Sequence, residues 1–258
     1  MSDARTMAAA AAANGVDTIA FTEHAHHLSE VRETIAYLAS RWMLEGRPLA
    51  RQAYLDAVSD ARDVAPIEVR VGLELDARPQ HDDYERALEQ VVDPSAPAWD
   101  VIVGSVHALS DDSGIEETRS VDEPMAVWRD YAELQVAAMA SGRYDVLAHP
   151  VRLGFSVAGR PPNLSRMLDE ITRAAVRHGV AVEVNGNDMS VRPDLVAALI
   201  ASIARQGAWV SLGSDAHVPA TAGAALRAVP VLRRHGLDCA AIFRRRRPEL
   251  VPLPSRAA

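Results

Sequence analysis

The sequence predicts an α/β fold built on a parallel sheet. Three observations carry this. Six short runs rich in Val and Ile are mostly apolar on both faces, as buried parallel strands should be. Helical patterns fill the intervals between them. Each run also finishes on, or is followed at once by, a His, Asp, Glu or Asn, and in parallel α/β folds functional residues gather at the C-terminal ends of the strands.

In chain order, Met7 to Ala13 reads as a helix, since alanine is the best helix former, and Asn14-Gly15 supplies its left-handed stop. The run is too weakly apolar for a signal peptide, and Asp17 follows almost at once. The strands are Asp17–Thr22, Glu68–Glu74, Trp99–Val106, Tyr144–His149, Val180–Asn185 and Ala208–Asp215. Helices are expected around 31–43, 50–63, 82–92 and 124–141. Another runs from Asn163, as N-cap, to Gly179, with Leu164, Met167, Leu168, Ile171 and Ala175 on one face. Pro193 opens a helix that ends before Gly207, and a last one covers 221–235. Arg244 to Arg247 reads as a basic, solvated helix end or tail. No linker or repeat divides the chain, so residues 1–258 read as one domain.

Composition excludes several classes. The 258 residues carry 27 basic and 35 acidic side chains, a net charge of −8, and every cation is arginine. Such a chain is poorly suited to gripping nucleic acid or an anionic membrane. With Cys239 alone there is no intrachain disulfide and no thiolate metal cluster. No apolar run approaches the ~20 residues of a membrane helix. A cytoplasmic protein acting on a small molecule is the expectation; oligomeric state is not legible.

The strand ends read Thr22-Glu23-His24, Glu74-Leu75-Asp76, Gly104-Ser105-Val106-His107, His149-Pro150, Glu183-Val184-Asn185 and Ser214-Asp215-Ala216-His217. Imidazole and carboxylate together are the ligand set for Zn, Fe or Mn. Several such ligands in one mouth point to a metal-dependent hydrolytic site. One strand-end histidine alone would be unremarkable; four in one pattern are not. His178 and His235 fall near helix C-termini, where imidazolium suits the dipole, and are assigned no function. His81 reads as loop. His26 and His27, beside the proposed site, read as exposed loop.

The six strand-end segments, in this order and spacing over residues 15–220, resemble the successive motifs of the polymerase-and-histidinol-phosphatase (PHP) superfamily. Stand-alone histidinol-phosphate phosphatases are the most similar branch, and the tail Phe243 to Leu253 also looks like theirs. The resemblance implies a distorted seven-stranded (β/α) barrel, TIM-like, holding up to three divalent metals. It implies His24, Glu74, His107, His149, Asp215 and His217 as metal ligands, with Glu74 bridging two metals. It places Asn185 and Arg192 where the family has substrate-facing polar groups. Gly186 to Val191 departs from the family pattern, which bears on Arg192 as a candidate phosphate ligand; Arg152, just after His149-Pro150, is a second candidate.

The family opens with a strand ending in His-x-His. Here that strand is missing: Ser2-Asp3 look like the end of the loop after it. Either the biological chain carries the motif upstream, or this is a degenerate member with fewer metals. A parallel barrel lacking one strand would expose two edges, which favours the first reading. The expected activity is metal-dependent hydrolysis of a phosphomonoester, histidinol phosphate first. Water would attack phosphorus directly, with Asp215, Arg152 and Arg192 serving the chemistry. Another small phosphate ester or a nucleotide is the alternative, as is a non-catalytic role. The proton donor to the leaving group is not legible.

Overall fold

The Val- and Ile-rich runs pair in the order in which they occur in the chain. The computed structural model describes residues 3–35, 47–91, 99–115, 124–156 and 161–254. Strands β1 (Thr18–His24), β2 (Glu68–Asp76), β3 (Val101–Ser105), β4 (Val146–Leu147), β5 (Ala181–Asn185) and β6 (Val210–Gly213) form one sheet in that order. Every adjacent pair is parallel. Parallel neighbours need crossovers, and helices supply them. Helix α1 (Ala4–Ala13) precedes β1, and α2 (Ser29–Ile35) and α3 (Arg51–Val64) follow it. Then come α4 (Asp82–Val91) after β2, α5 (Pro124–Ala140) after β3 and α6 (Leu164–His178) after β4. Helices α7 (Gly186–Val191) and α8 (Pro193–Gln206) join β5 to β6, and α9 (Val229–Arg234) follows β6.

This is the expected α/β architecture, a curled TIM-like sheet. Among the described residues β1 and β6 are its two edges, each paired on one side only. Burial follows position. All of β5, and β2 beyond Glu68, are buried, while β1 is half-buried along most of its length. Leu164, Met167, Leu168, Ile171 and Ala175 of α6 all face the core. Each large apolar side chain so buried contributes ~1.5–3 kcal/mol. No described helix is long and apolar enough to cross a membrane.

The helix ends repay comparison with the sequence. Gly179 and Gly207 take the left-handed conformation that closes α6 and α8, with φ of 67° and 69°. Asn163 occupies the N-cap position of α6, but its side chain makes no capping bond. The helix expected over 31–43 appears as α2; residues 36–46 lie outside the described residues, as does residue 92 of the one expected over 82–92. The one expected over 221–235 is a 3-10 turn at Ala224–Ala228 followed by the short α9. Gly186–Val191 forms the unanticipated α7, because Asn185 accepts the backbone N–H groups of Asn187 and Asp188 and starts a helix there.

The basic tail is a correction. Residues Cys239–Arg244 (β7) and Arg247–Pro252 (β8) form an antiparallel hairpin. Arg245 and Arg246, at φ 49° and 62°, make its two-residue turn. Such turns favour Asn-Gly, and two arginines with prolines nearby hid the signal. Ion pairs compensate. Arg246 Nε donates to Asp145 at 3.1 Å and Arg246 Nη2 to the Arg143 carbonyl at 2.6 Å. Buried Arg70 of β2 donates to the Phe243 carbonyl at 2.6 Å and to Glu249 at 2.9 Å. Ala241 and Phe243 cluster with Val101, Val146 and Ala181, the first residues of β3, β4 and β5. The hairpin thus closes the N-terminal end of the sheet, opposite the end that carries the site.

Candidate metal centre

Strand alternation puts Glu74 and Asp76 on one face of β2. The parallel register sets His24 opposite Glu74, and Ser105 opposite Asp76. Three imidazoles surround the Glu74 carboxylate. Oε1 lies 3.7 Å from His107 Nε2 and 3.5 Å from His149 Nε2, and Oε2 lies 3.9 Å from His24 Nδ1. Glu74 Oε1 and His149 Nδ1 are buried without a hydrogen-bond partner. Ligand atoms of Glu74, His107 and His149 all fall within 4.8 Å of one another. Ligands about 2.0–2.2 Å from a zinc-sized ion stand ~3–3.5 Å apart. The donor set, its spacing and its orphaned atoms therefore fit a divalent cation.

Asp76 fixes the His107 ring by taking its Nδ1 in a very short contact, which leaves Nε2 to face Glu74. Burial alone would lower His107, but the Asp76 charge outweighs it and pushes the imidazole up to about 9. Burial would raise Glu74, yet His24, His107 and His149 together hold it below the usual carboxylate range. His26 is a second correction. It is 2% exposed, stacked on His24 at 4.7 Å with Nδ1 3.9 Å from Asp76. Burial pushes it down to about 3, so it is neutral. His27 is half-buried and paired with Glu23 at 2.7 Å. His81, in the loop before α4, bonds Asp112 at 2.7 Å.

Asp215 and His217 sit on the neighbouring rim. They pair at 3.2 Å, and the His217 ring stacks 6.4 Å from that of His24. Arg152 is buried between two carboxylates: Nε donates to Asp188 at 2.6 Å and Nη2 to Asp215 at 2.7 Å. Arg192 is not brought into the cluster. It forks onto Asp194 and donates to the Gly154 carbonyl at 2.6 Å. His149 and Asp215 both adopt left-handed backbone, at φ 29° and 50°. Non-glycine residues there cost ~1–3 kcal/mol each and cluster at functional sites. Sequence reasoning gave no role to Asp76, His26, Glu183 or Asp188. Asp76 had a signal, two residues beyond Glu74 on the same strand face.

A family model, PHP domain, matches residues 1–187. The chain belongs to the PHP domain family. It is 32% identical to a probable phosphatase of Edwardsiella ictaluri over 92 residues, 34% of each chain. It is 30% identical to a probable phosphatase of Citrobacter koseri over 95 residues, 35% of each chain. The matched region spans about a third of these curated relatives. The crystal structure of histidinol phosphate phosphatase from Lactococcus lactis, complexed with zinc, L-histidinol and phosphate, superposes with a TM-score of 0.73 at 18% identity. That match covers 95% of this chain and 92% of the other. At that identity the likeness establishes the PHP fold.

The Asp76–His107 pair gives this PHP chain a pH signature in its metal-free form. The folded His107 lies above its ordinary 6.5. Its pairing therefore stabilises fully below about pH 6.5 and is lost as pH rises through about 9. Chelator-treated protein is expected to lose unfolding free energy across that window in urea titrations, and Asp76→Asn to flatten the loss. An unchanged slope in the variant would break the assignment.

Proposed function

We propose that this PHP chain is a metal-dependent phosphomonoesterase and that histidinol phosphate is the first substrate to try. The observation that carries the reading is the convergence of His107 and His149 on Glu74 at the strand mouths. Two further facts support it: the relatives are named probable phosphatases, and the Lactococcus protein holds zinc with L-histidinol and phosphate. Residues 1–258 are proposed to act as one barrel unit.

Divalent ions (Zn, Fe or Mn) held there would supply Lewis acidity toward a phosphoryl oxygen and lower the pKa of water. His24, Glu74, His107 and His149 would hold the ions, with Asp215 and His217 completing the set at the rim. Asp76 keeps His107 in the ligating tautomer. Arg152 anchors Asp215 at the rim and offsets carboxylate charge beside the mouth, where negative charge develops on phosphoryl oxygens. Arg192, held by Asp194 and Gly154, is the weaker phosphate ligand.

The test is turnover of histidinol phosphate and of nucleoside monophosphates, with metal and with chelator. Chelator is expected to silence the reaction. Arg192→Ala is expected to change KM less than Arg152→Lys does. Metal-independent turnover, or none of any phosphomonoester by metal-loaded protein, would overturn the proposal.

A further inference from the structure

The least comfortable backbone at the site belongs to His149, whose φ of 29° lies where side chains are disfavoured. Three bonds hold that backbone, one of them from the Arg152 N–H to the His149 carbonyl at 3.0 Å. The same carbonyl accepts from the Tyr131 hydroxyl at 3.2 Å. The His149 N–H donates to Glu183 Oε2 at 2.6 Å. Glu183 lies on β5, the neighbour of the very short β4, and is 9% exposed. The same oxygen accepts from Asn185 Nδ2 at 3.1 Å. The other oxygen occupies space that exists only because residue 213 is glycine: a Cβ on Gly213 would stand 1.7 Å from Glu183 Oε1. A carboxylate is thus lodged beside other carboxylates in the mouth, aimed by Asn185 and by a missing side chain, at the backbone of one histidine.

We infer that Glu183 is a positioning residue: it holds the His149 peptide in its left-handed conformation and so sets where that imidazole meets Glu74 and His107. The inference rests on the metal-centre reading above. A chain that leaves β4 after Leu147 and reaches Pro150 three residues later has no ladder bond to fix His149. Glu183 supplies the missing acceptor. What matters in this role is an oxygen at that point, not the charge on it.

The test is zinc affinity of the full chain, measured by competition with a chromophoric chelator, alongside thermal unfolding of the metal-free protein. Glu183→Ala is expected to bind zinc ~10–100-fold more weakly, the usual cost of losing an orienting partner. Glu183→Gln keeps an acceptor oxygen and is expected to stay within about threefold of the parent. Gly213→Ala, which forces the carboxylate aside, is expected to weaken zinc binding in the parent but to add little on top of Glu183→Ala. Should Glu183→Ala fail to fold, the Gln and Gly213 variants decide. Equal losses in Ala and Gln would show that charge, not positioning, is at work, and parent-like affinity in Glu183→Ala would remove the role; either overturns the inference. Absence of zinc binding by the parent would instead overturn the metal-centre reading itself.

Discussion

Glu74→Gln is expected to abolish phosphatase turnover while leaving the fold in place. Glu74 is where the imidazoles of His24, His107 and His149 converge, and its side chain is 11% exposed. The amide has the same shape but no charge to hold a cation. It also presents N–H groups to nitrogens that must ligate through lone pairs. Losing an orienting partner one layer out already costs ~10–100-fold, so loss of the central ligand should exceed about 100-fold in activity and in metal affinity. Thermal unfolding in chelator separates this from misfolding. Activity within about threefold of the parent, at equal folded fraction, would mean that the chemistry lies elsewhere.

Arg152→Met is expected to be the most destabilising single change at the site. The Arg152 side chain is 6% exposed, and its carboxylate partners Asp188 and Asp215 are 1% and 17% exposed. Removing the guanidinium strands two buried acids, and breaking such a pair costs ~3–5 kcal/mol. The pH dependence identifies the cause. In the parent, burial would raise Asp215, but His217, His149 and Arg152 outweigh it and hold the carboxyl below its ordinary value. Without the arginine, protonation relieves the stranded charge, so the deficit should shrink in acid. A deficit under about 1 kcal/mol in urea unfolding, the level of an exposed pair, would show that the triad is not buried in solution.

The sequence made the sheet legible because its strands are short, mostly apolar runs rich in Val and Ile, separated by helical patterns. The ends of those runs pointed to His24, Glu74, His107 and His149, since a parallel sheet brings every strand's C-terminus to one side. Other features depended on contacts between distant segments. His26 reads as loop because its burial comes from Asp76 and His24, brought beside it by the sheet. Glu183 looks like a strand residue until Gly213, thirty positions on, is seen to make room for it. The β7–β8 hairpin escaped notice because its turn is two arginines, tolerated there by Asp145 and by the Arg143 carbonyl. The family resemblance implies a substrate-facing role for Arg192, but Asp194, two residues along, holds its guanidinium.

The most direct measurement is divalent-metal content per folded chain, by elemental analysis of parent, His149→Ala and Arg192→Ala after loading and removal of free metal. His149 touches the cluster through Glu74, whereas among the described residues Arg192 bonds outside it. Parent and Arg192→Ala should each retain at least one ion per chain, and His149→Ala should lose it while still folded. Parent-like metal content in folded His149→Ala would contradict the Glu74–His107–His149 centre.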